Sequence, residues 1–322
     1  MAAAATASSP VPLADREILA LGEPMVEFNQ TGEQGGRTYL QGFGGDTSNF
    51  AIAAARQGAR VGYLSALGDD PYGRSLRALW EAEGVCHRDV RTDPAAFTAI
   101  YFVTHDAQGH HFSFFRAGSA ASRMTPASLP IERIRQAGCL HVSGISLAIS
   151  THACDTVYAA VEAARAAGVR VSFDTNLRLK LWPLARARAV MTDLMRLADL
   201  CLPSYDDITA ITGLTDPDAI VDHCLALGAR EVALKMGAQG ALVASGGERH
   251  RLPPQACRPV DATGAGDTFG GAFVARRLAG DALREAGRYA SVAAALSTEG
   301  YGAVEPIPRR ERVLQALASY PA

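Results

Sequence analysis

Apolar and polar positions along this chain follow two rhythms. In the first 120 residues short apolar runs are broken by glycine and proline. Glu17-Ile-Leu-Ala-Leu-Gly22 is a brief apolar run closed by glycine, which predicts a buried strand, and the alternation at Val26-Glu27-Phe28-Asn29 continues it beyond Pro24. A Gly-rich polar stretch leads to residues 38–43, read as extended. Gly44-Gly45-Asp46 then opens an Ala-rich helix over 47–57, stopped by Gly58, with Asp46 as its cap. Residues 60–67 read as a strand and 71–83 as a helix ending at Gly84. Residues 97–104 and 111–115 read as strands joined by a turn at Asp106-Ala-Gln-Gly109. No helix separates them, which predicts an antiparallel flap distinct from the main sheet.

From residue 139 the rhythm becomes a regular alternation of strand and helix. Strands are expected over 139–143, 169–174, 200–202, 231–235 and 241–244. Val157, Ala160, Val161 and Ala164 recur at helical spacing, so a helix runs there until Gly168. Further helices are expected over 184–197, 204–212, 217–227, 266–278, 283–296 and 309–318. This alternation predicts an α/β fold with a mostly parallel sheet covered on both faces, and ligands bound beyond the carboxyl ends of the strands.

Composition narrows the function classes. The chain has 322 residues, 48% of them hydrophobic, enough for a sizeable core, and 31 Lys+Arg against 33 Asp+Glu. That balance argues against a nucleic-acid or membrane-surface binder. No apolar run approaches a membrane span. Residues 1–15 read as a disordered tail, and residues 1–12 carry no basic residue, unlike a secretory or transit signal. The six cysteines are widely spread without a Cys-x-x-Cys pair, so neither a zinc site nor a disulfide framework is expected, and Cys139 and Cys201 read as buried small hydrophobes. The expected compartment is the cytoplasm.

The strongest candidate chemistry lies in Asp261-Ala-Thr-Gly-Ala-Gly-Asp-Thr-Phe-Gly-Gly-Ala-Phe273. Gly264, Ala265 and Gly266 fall at a helix start, where bare amides and the helix dipole suit an anion. Asp267, in the first turn, would repel a bound phosphate. It makes chemical sense there if it accepts a proton from an attacking hydroxyl. A plain glycine loop with a dipole-stabilised Asp gives the same pattern.

This segment resembles the signature of the ribokinase-like (PfkB-type) carbohydrate kinases, with Ala262 departing slightly from the usual residue. Gly44-Gly45-Asp46-Thr-Ser-Asn49, then Gly58 and Gly68, is similar to that family's N-terminal signature. The resemblance spans nearly the whole chain beyond the tail. It implies a three-layer α/β/α sandwich over 16–322 with a small β-sheet lid, about 23–43 and 97–116, and activity with ATP and Mg²⁺. It further implies Asp267 as catalytic base, Gly264, Ala265 and Gly266 as anion hole, and Gly44, Gly45 and Asn49 on the sugar. Leu234-Lys-Met-Gly-Ala-Gln-Gly240 resembles the family's Lys-x-Gly-x-x-Gly loop at the nucleotide, implicating Lys235, Gly237 and Gly240. Ser204-Tyr-Asp-Asp207 departs from the family's Asn-x-x-Glu motif, and no direct metal ligand is assigned.

Three segments are similar to those of 2-keto-3-deoxygluconate kinases: Glu27-Phe28 after Gly22-Glu-Pro-Met-Val, Phe114-Phe-Arg-Ala-Gly-Ser-Ala-Ala-Ser122, and Asp174-Thr-Asn-Leu-Arg178 with Leu181-Trp182. They implicate Tyr101, Phe114 and Arg116 from the flap, and Asn176 and Arg178 from the main domain. Phe114 stands where a second Tyr is common, and flap packing would equally explain Tyr101 and Phe114. Two arginines, with their planar forked donors, suit an anionic sugar acid, while Arg178 suits ATP phosphates as well. A fructokinase or another sugar kinase of the same superfamily, and a non-catalytic binding protein on the same fold, are the alternatives. A dinucleotide-dependent dehydrogenase is disfavoured because no Gly-x-Gly-x-x-Gly follows the first strand. The resemblance also implies a homo-oligomer assembled through the lid.

Overall fold

The computed structural model describes residues 16–31, 36–106 and 109–319. The expected tail over 1–15 lies outside the described residues, as do two residues of the turn before Gly109.

In chain order the N-terminal part holds β1 (Ile18–Leu21), β2 (Met25–Thr31), β3 (Thr38–Gly44), α1 (Asp46–Arg56), β4 (Val61–Leu64), β5 (Ala66–Gly68), α2 (Pro71–Ala82), β6 (Val85–Cys86), β7 (Arg91–Asp93), β8 (Ile100–Asp106) and β9 (Gly109–Phe115). There follow α3 (Ile131–Gln136), β10 (Cys139–Ser143), α4 (Gly144–Ala148), α5 (Thr151–Ala166), β11 (Arg170–Asp174), α6 (Leu184–Leu197), β12 (Leu200–Cys201), α7 (Tyr205–Thr212) and α8 (Pro217–Leu227). The chain closes with β13 (Glu231–Lys235), β14 (Ala241–Ser245), β15 (Arg249–Leu252), α9 (Ala265–Ala279), α10 (Leu283–Ser297) and α11 (Arg310–Ser319).

Nine strands form the main sheet in the order β15-β14-β13-β12-β11-β10-β1-β4-β6. All pairs are parallel except the two joining β13, β14 and β15. Side chains along a strand alternate between faces, so neighbours in sequence enter different cores. Leu19, Leu140, Val142, Val232 and Leu234 pack against α5, α6 and α8. Ile18, Ala20, Cys139 and Ala233 pack against α1, α9 and α10. This gives helix, sheet and helix layers. Cys139 and Cys201 are fully buried, and all six cysteines are free. Among the described residues no helix is long and apolar enough to cross a membrane.

A separate four-stranded sheet has the order β3-β2-β8-β9. Here the structure corrects the sequence reading, which runs β2 on from β1. Gly22, Glu23 and Pro24 turn the chain out of the main sheet, and β2 pairs instead with β3 and β8. Pro24 has no N–H to donate to a continuing ladder. The pairing register puts Phe28, Phe102 and Phe115 on one face of this sheet and Glu27, Tyr101 and Phe114 on the other. Phe102 stacks on Phe28 and meets Tyr39 and Phe115 edge-on.

Two strand boundaries also shift. The strand expected from residue 97 begins at Ile100, because Asp70 diverts the chain before it. One Asp70 oxygen caps α2 at the Gly73 amide and the other takes the Thr98 amide, both at 2.7 Å. The strand expected over 60–67 splits at Ser65, whose hydroxyl donates to the Gly22 carbonyl and whose own carbonyl accepts from Arg91.

Helices α1 and α9 lie side by side with almost no gap. A Cβ on Gly271 would stand 2.5 Å from the Phe50 carbonyl oxygen, so only glycine permits this approach. The contact sets the start of α1 beside the start of α9.

Candidate active site

The carboxyl ends of β11 and β13 and the starts of α1 and α9 meet on one side of the main sheet. Gly264 caps α9 with φ 75, a conformation natural to glycine, and a Cβ on it would stand 2.8 Å from the Ala303 carbonyl oxygen. The helix therefore opens on Ala265, Gly266 and Asp267; the Ala265 amide donates to the Ala262 carbonyl oxygen at 3.2 Å, while those of Gly266 and Asp267 have no partner inside the helix. Lys235, at the end of β13, brings its Nζ to 3.6 Å from where a Gly266 Cβ would be. The same Nζ donates to Asp174 Oδ2 at 2.5 Å, and both side chains are nearly buried, at 12% and 6% exposure. Backbone amides, a dipole and an ammonium group thus converge on one spot, a ready anion site.

Asp267 is half-buried and accepts a hydrogen bond from Asn49 Nδ2 at 2.8 Å. Burial, and then the charges of Asp46 and Asp174, push its carboxyl up to about 8. The Asn49 bond and Lys235 oppose that rise without cancelling it. The other amide atom, Asn49 Oδ1, is buried and has no hydrogen-bond partner among the described residues. An orphan acceptor beside a carboxyl group is suited to a ligand hydroxyl, since buried polar atoms are otherwise paired.

Asp46 does not cap α1, as its sequence position suggests. Gly45 is the capping residue, with φ 98, and Asp46 sits inside the first turn. Its Oδ1 accepts from the Thr47 amide and its Oδ2 from Asn176 Nδ2 at 2.9 Å. Ser204 likewise precedes α7 without a side-chain cap.

The small sheet contributes Tyr101, which donates to Glu27 Oε2 at 2.5 Å. Burial raises the pKa of both groups, and the Glu27 charge raises that of Tyr101 further. Gly44 leaves the space that Tyr101 fills, since a Cβ there would lie 2.5 Å from the phenol oxygen. Phe114 stays 44% exposed beside Tyr101.

The two arginines behave differently. Arg116 is not free: Nε and Nη2 both donate to Glu23 Oε2, at 2.7 and 2.5 Å, while the Ser119 hydroxyl takes Oε1. Glu23 is 1% exposed, so this pair ties the exit of β1 to the exit of β9. Arg178 is exposed and donates to the Leu177 carbonyl oxygen at 2.8 Å. Gly237 and Gly240 form a tight turn between β13 and β14, where a Gly240 Cβ would strike the Leu252 carbonyl oxygen.

The structure thus gathers Asn49, Lys235 and Gly264 to Asp267 into one cluster, joined through Asp46 to Asn176. Tyr101 and Gly44 form a second group under the small sheet, with Phe114 at its edge. Sequence reasoning leaves Glu23 and Asp174 without a role. The signal for Asp174 is a carboxylate ending an apolar strand, directly before Thr-Asn-Leu-Arg. Nothing local marks Glu23, whose partner lies 93 residues away.

The pfkB family carbohydrate kinase model matches residues 15–310. The chain belongs to the PfkB family of carbohydrate kinases. It is 35% identical to a 2-dehydro-3-deoxygluconokinase of Thermoproteus tenax, over 93% of this chain and 94% of that one. It is 32% identical to fructokinase-1 of Oryza sativa subsp. japonica, over 94% and 98%. A ribokinase-II-like protein from E. coli in complex with ATP and Mg²⁺ superposes with a TM-score of 0.88 at 26% identity, covering 95% of this chain and all of that one. This PfkB kinase is an ATP-dependent sugar phosphotransferase with the ribokinase-like fold, working with ATP and Mg²⁺. The residues present fit the nucleotide: the glycine cradle at Gly264 admits no side chain, and Lys235 stands beside it. Among the described residues no cluster of three His, Cys, Asp or Glu is placed to hold a metal ion. Mg²⁺, which often keeps its waters and binds through substrate phosphates, would be held chiefly by the nucleotide.

The carboxyl shift of Asp267 makes a pH prediction. If Asp267 is the base proposed below, it must be ionised to act, and kcat/KM, which reports the free enzyme, rises with pH through its ionisation. Replacing Asp46 by Asn removes a negative neighbour and moves this acid limb to lower pH. A pH–rate profile of the two proteins checks it; an unmoved limb assigns the ionisation elsewhere.

Proposed function

We propose that this kinase phosphorylates the terminal hydroxyl of a sugar acid, 2-keto-3-deoxygluconate, to give the 6-phosphate. Asp267 takes the proton from that hydroxyl, its oxygen attacks the γ-phosphorus, and the bond to the ADP oxygen breaks. The observation that carries this chemistry is Asp267 held by Asn49 on one side, with Gly266 and Lys235 beside it. Asn49 orients the base and offers its free Oδ1 to a second hydroxyl. The first-turn amides of α9 and Lys235 stabilise the charge that grows on the phosphoryl oxygens. When bound together with ATP, Mg²⁺ would supply positive charge to its phosphates. Gly44, Gly45 and Tyr101 contact the sugar, Phe114 covers it, and Asn176, Arg178, Gly237 and Gly240 serve the nucleotide side.

The sugar-acid reading is supported by the relative from Thermoproteus tenax and by two arginines in matching segments. Arg178 is free to meet an anion; Arg116 would have to share Glu23 with it. One observation favours a second reading, a fructokinase. Glu27, buried and facing the same side as Tyr101, is a carboxylate that would accept neutral-sugar hydroxyls and repel an acid.

Coupled ADP release over keto-deoxy acids, fructose and ribose separates the two readings. The expected result is a kcat/KM for 2-keto-3-deoxygluconate about a hundredfold above that for fructose, the scale of discrimination a few contacts supply. A preference for fructose would establish the second reading.

We also place the enzyme in the cytoplasm as a homo-oligomer joined through the small sheet. Its free cysteines and its exposed aromatic residues, Phe115 at 57% and Tyr39 at 36%, support this.

A further inference from the structure

The four residues after β11, Thr175 to Arg178, carry more side-chain bracing than a turn of this length needs. Among the described residues Asn176 is the one non-glycine residue with left-handed backbone, φ 32. Such a conformation persists only where the surroundings over-determine it. Here they do. Asp207, in the first turn of α7, accepts with a single oxygen, Oδ2, from the Leu177 amide at 3.0 Å and from the Thr175 hydroxyl at 3.3 Å. The Ser204 amide, at the start of the same helix, donates to Thr175 Oγ1 at 3.3 Å. Asp174 takes the Asn176 amide, and Asp46 takes its side chain. Three carboxylates from three elements therefore fix one short turn.

Arg178 ends that turn. It is exposed, and its one hydrogen bond among the described residues is to the neighbouring Leu177 carbonyl oxygen. A guanidinium without a carboxylate partner, on a rigid turn at the carboxyl end of a central strand, is available to an incoming anion.

We propose that Asp207 is a positioning residue, which holds Thr175 and Leu177 in place so that Arg178 meets an anionic group of the bound reactants. This rests on the reading of Arg178 given under Proposed function. The competing role for a carboxylate here is to orient metal-bound water through its charge. The two roles make different demands. Holding an amide and a hydroxyl needs only an acceptor oxygen, which Asn also offers; orienting metal-bound water needs the negative charge.

The test compares Asp207→Ala, Asp207→Asn, Arg178→Ala and the double variant Arg178→Ala/Asp207→Ala. In the free protein, hydrogen exchange at the Leu177 amide speeds up at least about tenfold in Asp207→Ala and stays near wild type in Asp207→Asn, with amides of the main sheet unchanged in both. Turnover follows the same order. Asp207→Ala loses up to about a hundredfold in kcat/KM, as expected for a misplaced charged contact, and Asp207→Asn stays within about threefold of wild type. The double variant is no slower than Arg178→Ala, since the two residues act through one contact. The Mg²⁺ concentration for half-maximal rate does not move. Asp207→Asn as slow as Asp207→Ala, with a raised Mg²⁺ requirement, overturns the proposal. Unchanged Leu177 exchange in Asp207→Ala overturns it directly. A fully active Arg178→Ala overturns it instead through the reading on which it rests, and leaves the exchange result standing as a separate observation.

Discussion

Replacing Asp267 by Asn lowers kcat by about a hundred- to ten-thousand-fold, the range supplied by a positioned general base. The substitution keeps the shape of the side chain and a hydrogen-bond acceptor for Asn49, but removes the capacity to take a proton. Nucleotide binding is expected to survive, because Gly264 to Gly266 and Lys235, proposed to hold the phosphates, are untouched. Stability moves in the opposite direction to activity. The Asp267 carboxyl is raised from its ordinary 3.8 to about 8 in the fold. Between those two pH values the folded protein binds a proton that the unfolded chain has released, so stability falls as pH rises through the window. The amide that replaces this carboxyl is neutral throughout and escapes the loss. The variant therefore melts higher than wild type at pH 8 and above, with the gap closing toward pH 4. Thermal denaturation by circular dichroism, alongside coupled ADP release, reads both effects. Retained turnover in the folded variant would remove Asp267 from the chemistry.

The second large effect belongs to Lys235. Lys235→Met leaves Asp174 in the interior without its cation, and breaking a buried pair in this way costs about 3–5 kcal/mol. Both partners are nearly buried, so solvent screening does little to soften the loss. Burial already raises the Asp174 carboxyl despite Lys235; without the ammonium it rises further, so the deficit shrinks toward acid pH. Adding Asp174→Asn removes the stranded charge and restores most of the stability. It does not restore the phosphoryl site: the double variant keeps a high KM for ATP and a low kcat. Urea denaturation of the three proteins with matched kinetics separates the two losses. Recovery of activity along with stability would show Lys235 to be a structural partner of Asp174 alone.

How far the chain can be read in advance varies with how local the cause is. The strand and helix alternation after residue 139 follows from apolar spacing, and the structure matches it closely. The helix start at Gly264 is visible because a capping glycine, small residues and a first-turn Asp are neighbours in sequence. Asn49 stands out through its motif, yet its link to Asp267 spans 218 residues and depends on α1 lying against α9. Gly271, which permits that approach, reads as one more small residue until Phe50 is placed beside it. The departure of β2 from the main sheet escapes the pattern because alternation describes a strand but not the sheet it joins. Arg116 stands out through its segment and its charge, which suggest an anionic ligand, and its buried partner Glu23 gives no periodic signal. Asp207 stands in a segment that departs from the family's Asn-x-x-Glu motif and gets no role from its sequence position; only the fold brings an amide and a hydroxyl to its oxygen.

The tight seam between α1 and α9 has a kinetic consequence. With a glycine in van der Waals contact with the opposing backbone, the two helices cannot slide, so Asn49 and Asp267 keep one geometry at every stage of the cycle. If the small sheet acts as the lid that the resemblance implies, its movements govern arrival and departure and leave the alignment of Asn49 with Asp267 unchanged. Solvent viscosity should then slow steady-state turnover through that lid, while the isotope effect of a deuterated hydroxyl on the chemical step alone, read in single turnover, should stay the same.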